Sequence, residues 1–329
     1  MSQTKILFVS HSLSAFTKPV FNNLQTLDFS VQLFDYYSPN IRSKILGLLK
    51  NVSSRHSDLE KLINASVNQD FINKAVRFKP KFILLFKAKN IYPETISNLR
   101  QKGFIVINWF PDYYDDWNWI RTHAANYDYF FTPCEYVQAQ LKKLGVTSYY
   151  LPFAADADPT FRQTPKKYQA TFVGRFTKRR NHFFQKVLTA NLLDVWGYSH
   201  WVNSIYKSVY HGEITPQKTK EIIRQSKITL NTLTATDNVP IISVNYRMFE
   251  ATGVGGFVLS WYNHPLEEFF KIGHEIEVFK TPDEALAKTK FYLKNESARE
   301  KIARAGWKRT TKDHTYLVRL RDLIKHLKV

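Results

Sequence analysis

The stretch Asp128–Gly145, DYFFTPCEYVQAQLKKLG, decides the architecture. It opens on a strand expected at Asp128–Thr132, whose Tyr129, Phe130, Phe131 and Thr132 are residues of the aromatic and β-branched kind that suit a pleated, buried surface. Thr132-Pro133 then sets a capping hydroxyl ahead of a proline whose fixed φ fits the first helical position, and Glu135 stands three residues after the threonine, as a capping box requires. Val137, Leu141 and Leu144 recur at helical spacing, and Gly145 supplies the stop. Strand, cap, helix and stop therefore follow one another in a single short segment.

The same unit repeats in both directions along the chain. Upstream, strands are expected at Lys5–Ser10, Val31–Tyr36, Phe82–Lys87 and Phe104–Phe110, with Tyr149–Phe153 following the quoted stretch. These runs are nearly continuous in Ile, Leu, Val and Phe, the mark of parallel strands covered on both faces. After the polar, proline-bearing stretch around Asp156–Lys167, a second series is expected at Ala170–Arg175, Leu192–Gly197, Val209–Ile214, Ile228–Leu233, Gly256–Ser260 and Glu275–Phe279. Thr215-Pro216 and Thr281-Pro282 repeat the cap, the latter with Glu284 as a second capping box, and Ser297 with Glu300 opens a further helix. The pattern is α/β: two doubly wound, Rossmann-like halves. The expected divisions are 1–153, a linker at 154–168, a second domain at 169–311, and a basic helical tail at 312–329.

Composition agrees. A chain of 329 residues exceeds what one core usually supports, and 44% apolar residues, 15% of all residues being aromatic, suffice for two. Ile6–Ser10 is too short for a signal peptide, no segment reaches membrane-spanning length, and the one cysteine, Cys134, lacks both a disulfide partner and zinc-ligand neighbours. A cytoplasmic protein is expected. The net charge of +19 favours polyanionic partners: nucleoside diphosphates, nucleic acid or anionic lipid. Between Pro159 and Leu193 no acid occurs, whereas Arg162, Lys166, Lys167, Arg175, Lys178, Arg179, Arg180 and Lys186 all do.

From Asn108 onward the chain resembles the CgeB-like, or glycosyl transferases group 1, proteins. The pieces that carry the likeness are Asn108-Trp-Phe-Pro-Asp, Tyr127-Asp-Tyr-Phe-Phe-Thr, Leu151-Pro-Phe-Ala-Ala-Asp, Phe172-Val-Gly-Arg, His211-Gly-Glu-Ile, Ser226-Lys-Ile-Thr-Leu-Asn, Arg247-Met-Phe-Glu-Ala-Thr-Gly and His314-Thr-Tyr-Leu-Val-Arg, in that order. The resemblance implies a GT-B fold, two Rossmann-like domains facing each other across a cleft, with an acceptor domain first, a nucleotide-sugar donor domain second, and the C-terminal helix packing back toward the first.

In Gly174-Arg175-Phe-Thr-Lys178-Arg179-Arg180 a strand ends, the backbone turns and cations gather where a helix begins, an arrangement that favours phosphate. By resemblance Arg175 and Arg180 hold the donor diphosphate, with Arg247 beside it. Glu250 takes the ribose hydroxyls, and Gly212 and Ile214 flank the nucleobase. Such families carry a Glu-x7-Glu pattern; here the earlier position is Ile242, which leaves Asn231 and Asn245 as candidates for the sugar. In the first half Asp112 follows a buried strand, at the sheet edge where ligands bind, and is the candidate general base. His11, at the end of the first strand, is the second candidate for catalysis. Each also has a plain structural reading: a solvated basic helix face, an i,i+3 ion pair for Arg247 and Glu250, a turn for Gly212, a turn cap for Asp112.

Asp115 and Asp116 could imitate the Asp-x-Asp metal site of GT-A transferases, but two α/β halves argue against it, and His264, His274 and His314 lack ligand spacing. The expected activity is transfer of a sugar from a nucleoside-diphosphate donor, UDP- or GDP-linked, to a hydroxyl of a polysaccharide, glycolipid or glycoconjugate precursor. No cofactor or divalent metal is expected. From Phe71 to Pro93 there are six Lys or Arg and no acid, compatible with contact at the anionic inner face of a membrane. Two alternatives are a basic GT-B-like protein that acts on or binds nucleic acid, and a non-catalytic nucleotide-binding scaffold; the lack of a nucleic-acid motif disfavours the first.

Overall fold

A computed structural model describes residues 3–37, 56–112, 116–232 and 243–327. The chain divides into two compact units, Met1–Pro152 with Arg319–Val329, and Phe153–Val318.

The first unit runs β1 (Lys5–Ser10), α1 (Thr17–Thr26), β2 (Ser30–Asp35), α2 (His56–Phe78), β3 (Phe82–Phe86), α3 (Pro93–Gln101), β4 (Ile105–Trp109), α4 (Trp117–His123), β5 (Tyr129–Thr132), α5 (Glu135–Lys143) and β6 (Tyr149–Tyr150). Its strands are all parallel, in the order β2-β1-β3-β4-β5-β6. Every residue of β3, FILLF, is buried, as a central parallel strand with helices on both faces must be. Leu7, Val9, Ile83, Leu85 and Val106 pack with Phe71, Ile96, Leu99 and Leu141 of the helices to form the core.

The second unit repeats the plan: β7 (Tyr168–Val173), α6 (Lys178–Thr189), β8 (Leu193–Trp196), α7 (Pro216–Gln225), β9 (Ser226–Asn231), α8 (Tyr246–Gly253), β10 (Val258–Trp261), α9 (Leu266–Phe269), β11 (Glu277–Phe279), α10 (Pro282–Lys294) and α11 (Glu296–Asp313). Its parallel sheet has the order β11-β10-β9-β7-β8. A last helix, α12 (Tyr316–His326), begins in this unit and from Arg319 counts with the first. Among the described residues no helix is long and apolar enough to cross a membrane.

The strand order matters for function. In the first sheet the chain goes from β1 out to β2 and then back past β1 to β3; in the second it goes from β7 out to β8 and back past β7 to β9. Each sheet thus has one switch point, β1/β3 and β7/β9, and in open α/β sheets ligands bind in the crevice beyond the strand C-termini there.

Several local expectations need correction. Thr132 does not cap a helix: it is a buried strand residue whose Oγ1 accepts from the Cys134 N–H at 3.3 Å, and α5 starts at Glu135. Thr215 and Thr281 do cap, accepting from the Lys218 and Glu284 N–H groups, while Glu284 reaches back to the Lys280 N–H. Ser297 lies inside α11, which Asn295 precedes. The strand expected at Val209–Ile214 is a loop that runs along β8, with Tyr210 bridged to Val195 and the His211 N–H donating to the Val195 carbonyl, and Gly212 at φ +95° breaks the extended run. The polar stretch 154–168 is no free tether. The Arg224 guanidinium donates to both oxygens of Asp158 at 2.8 and 2.7 Å, and Lys220 pairs with Asp156 at 2.6 Å. Gly253 lets this segment pass, since a Cβ there would stand 2.7 Å from that of Ala155.

Candidate functional site

At the β7/β9 switch point, β7 ends in Val173 and the chain turns through Gly174 into α6. The Gly174 N–H donates to the Trp196 carbonyl at 2.9 Å, and its own carbonyl accepts from the Trp201 indole at 2.8 Å. No side chain fits at this turn: a Cβ would lie 2.8 Å from the Phe172 ring. Thr177 caps α6 by accepting from the Arg180 N–H, and the first helical turn holds Lys178, Arg179 and Arg180 with no acid. Three cations at the positive end of a helix dipole oppose it, and an anion bound there reverses the sign of the interaction.

Arg180 is the centre of the arrangement. It is only 6% exposed, its guanidinium covers the Phe172 ring at 4.8 Å, and it donates to the Arg175 carbonyl at 2.5 Å. Burial, then the positive charges of Arg175 and Arg247, push its pKa down to about 9. Arg175, Arg180 and Arg247 therefore converge, although Arg247 comes from α8. Lys178 is exposed, and Arg179 turns onto the Trp261 ring at 5.3 Å.

Glu250 is 3% exposed. Its Oε2 pairs with the Arg247 guanidinium and its Oε1 accepts from the Tyr246 hydroxyl at 3.2 Å. Arg247 is 21% exposed, and burial lowers its pKa to about 10. The i,i+3 pair exists, but on a half-buried helix beside Arg180 rather than on a solvated face.

Asn231 and Asn245 bond each other. Asn245 Nδ2 donates to Asn231 Oδ1 and to the Thr232 carbonyl, both at 3.1 Å, while Asn231 Nδ2 donates to Asn245 Oδ1 and to Ser260 Oγ. Asn245 also caps α8, accepting from the Met248 N–H. All four amide protons are spent within the chain, so the pair clamps α8 to β9 and has no donor left for a sugar hydroxyl.

Gly212 and Ile214 lie apart in character. Gly212 accepts from the Gly197 N–H and faces open space, whereas Ile214 packs on Val173, Trp196 and Ile222. Between them and β8, His211 stacks on Trp196 at 4.5 Å and its Nε2 meets Asp194 Oδ1 at 2.7 Å, features that the Gly-centred motif did not announce.

In the first unit the β1/β3 switch point gathers a second cluster. His11 follows β1, its ring 4.4 Å from that of Tyr37 and its Nδ1 3.7 Å from Asp35 Oδ1. Asp112, beyond β4, pairs with Lys87 Nζ at 2.5 Å, and Asp116 pairs with Lys89 at 2.5 Å. Burial raises the Asp112 pKa, with Lys87 pulling it back. A carboxylate of raised pKa and partial exposure can take a proton from a hydroxyl. Sequence reasoning missed Lys87: nothing in Phe-Lys-Ala-Lys-Asn signals a turn, yet Lys87 and Ala88 have φ of +64° and +51°. Asp115, named with Asp116 for a metal, lies outside the described residues. Among the described residues no three His, Cys, Asp or Glu side chains gather to hold a metal ion.

Residues 179–325 match a family model described as glycosyl transferase-like. No curated protein matches the chain. Among solved structures, a sucrose-phosphate synthase from Thermosynechococcus elongatus superposes with a TM-score of 0.69 at 10% identity, covering 98% of each chain. HepE of Anabaena, solved with UDP-glucose, gives 0.63 at 10% identity over 98% of this chain and 99% of that one. A glycosyltransferase from Rickettsia africae gives 0.63 at 11% identity over 99% and 98%. At such identities the superpositions speak for the fold, and the family match speaks for the second unit. The chain therefore has the GT-B fold of these structures, and its residues 179–325 are similar to the glycosyl transferase-like family.

Proposed function

We propose that the chain transfers a sugar from a nucleoside-diphosphate donor to the hydroxyl of a carbohydrate or glycolipid acceptor, with the donor diphosphate on Arg175, Arg180 and Arg247. The observation that carries this reading is the buried Arg180 in the acid-free first turn of α6, bonded to the Arg175 carbonyl and near enough to Arg247 of α8 to feel its charge. A dianion bound there meets charge-assisted hydrogen bonds from guanidinium groups and the positive end of the α6 dipole.

In the reaction the bond between the anomeric carbon and the diphosphate oxygen breaks, and the nucleoside diphosphate departs with the electron pair. The acceptor oxygen bonds the anomeric carbon and gives its proton to a general base, the role for which Asp112 is the candidate. The arginines offset the charge that develops on the leaving group, the part a divalent metal plays in other transferases, so transfer proceeds without one. Glu250, fixed by Arg247 and Tyr246, keeps a lone pair on each oxygen for the ribose. A UDP-sugar is the first donor to try, since HepE is seen with UDP-glucose.

The test is thermal stabilisation by UDP, GDP, dTDP, ADP and CMP and their sugars, on wild type and Arg175→Ala, followed by turnover with and without EDTA. A ligand at a hundred times its Kd adds about 2.7 kcal/mol. One nucleotide should stabilise wild type and not the variant, with turnover indifferent to EDTA; equal stabilisation of both proteins would remove the arginines from the donor site.

A further inference from the structure

Two successive non-glycine residues with positive φ, Lys87 at +64° and Ala88 at +51°, sit where β3 ends at the first switch point. L-residues avoid this region, so the surroundings must impose it. They do so at several points. The Lys87 N–H donates to the Trp109 carbonyl at 3.1 Å, and Asn108 Nδ2 donates to the Lys87 carbonyl at 3.2 Å. Further on, the Ile91 N–H donates to the Ala88 carbonyl, and buried Asn68 holds the Asn90 carbonyl and the Tyr92 N–H at 2.9 and 2.8 Å. The consequence of the turn is that the Lys87 ammonium lies 2.5 Å from Asp112. Two half-exposed charges alone would not need so constrained a backbone.

We propose that Lys87 is the positioning residue of the acceptor base, its left-handed turn serving to lay the ammonium on Asp112 and keep that carboxylate ionised and oriented. This rests on Asp112 being the base. The groups acting on Asp112 come from three neighbouring segments: Lys87 and Lys89 after β3, Asp116 before α4, and Tyr36 after β2, whose hydroxyl also meets the Ala88 backbone. Among the described residues Lys87 is the one in direct contact, and an opposite charge at that distance favours the ionised carboxylate.

The experiment is the pH profile of kcat/KM for Lys87→Met, Lys87→Arg, Lys87→Gly and Asp112→Asn, each with its Tm. Loss of the cation makes Asp112 harder to ionise, so the acid limb should move upward by about one pH unit in Lys87→Met. Lys87→Arg should leave the limb in place. Lys87→Gly suits the backbone but lacks the amine, so it should melt no lower than wild type and shift the limb as Met does. An unmoved limb in Lys87→Met and Lys87→Gly, with Asp112→Asn inactive, overturns the role of Lys87 alone. An active Asp112→Asn overturns the base assignment and the proposal with it.

Discussion

The Arg180 guanidinium donates to the carbonyl of Arg175, 2.5 Å away, so the most buried cation of the proposed donor site is oriented by the backbone of its most exposed one. Burial of the guanidinium, with Arg175 and Arg247 adding like charge, disfavours its protonated form in the folded chain. Because its folded pKa of about 9 lies below the ordinary arginine value, the protonated group is disfavoured by folding, and this penalty is full below pH 9 and fades as pH rises above it.

Arg180→Met should therefore melt within a few degrees of wild type, or above it, at pH 7 without ligand. The same variant should lose about 1.5–3 kcal/mol of nucleotide binding, the worth of a charge-assisted hydrogen bond. Calorimetry and titration together check the pair of effects. A large fall in Tm with unchanged nucleotide affinity would make Arg180 a structural residue only.

Gly174→Ala addresses the turn itself. The new methyl would stand 2.8 Å from Phe172 Cζ and 3.4 Å from Arg180 NH1, so the ring on which the guanidinium rests must move. Overpacking of this kind costs roughly 1–3 kcal/mol, and chemical denaturation should show it. Since Phe172 carries Arg180, nucleotide affinity should fall as well.

Asn245→Ala tests the clamp. It removes the cap of α8 and leaves Asn231 with unmet partners, which should cost about 1–2 kcal/mol of stability. With all its amide protons used inside the chain, its loss should be felt alike by the free nucleotide and the nucleotide-sugar. A selective loss of affinity for the sugar-linked form, measured by titration with both, would return Asn245 to the sugar site.

Much of this was legible in the sequence, and the exceptions share a cause. Lys5–Ser10 is a strand over the expected span, and the other buried strands agree within one or two residues at most ends, because continuous apolar runs flanked by turn residues have few other ways to be buried. The basic segment after β7 was readable from charge alone. What could not be read are contacts set by tertiary neighbours. Asn231 and Asn245 are fourteen positions apart, and nothing in either residue type says whether an amide faces a ligand or another amide. Lys87 takes up a left-handed turn without glycine or asparagine because the Trp109 carbonyl of β4 and the Asn108 side chain hold it there. Val209 and Tyr210 have strand composition, but Tyr210 donates its hydroxyl to the Gly197 carbonyl and the chain leaves the sheet at Gly212.

The clamp on the segment 155–158 extends the donor site beyond the residues that would touch a ligand. Asp158 accepts two bonds from Arg224, its N–H donates to the Gly253 carbonyl, and its own carbonyl accepts from the Trp307 indole, so it ties α7, α8 and α11 together. Arg247 and Glu250 lie on α8, whose last residue is Gly253. Arg224 and Asp158 are 17% and 13% exposed, a well-shielded bidentate pair, whereas Asp156, the partner of Lys220, is 48% exposed. Arg224→Ala should cost about 2–4 kcal/mol, since it leaves a shielded carboxylate uncompensated, while Lys220→Ala should cost under about 1 kcal/mol. If the clamp fixes α8, Arg224→Ala should also weaken nucleotide binding several-fold although Arg224 needs no contact with the ligand, and Gly253→Ala, which pushes Ala155 away, should do the same. Unchanged affinity in both variants, alongside the stability loss, would confine the clamp to folding.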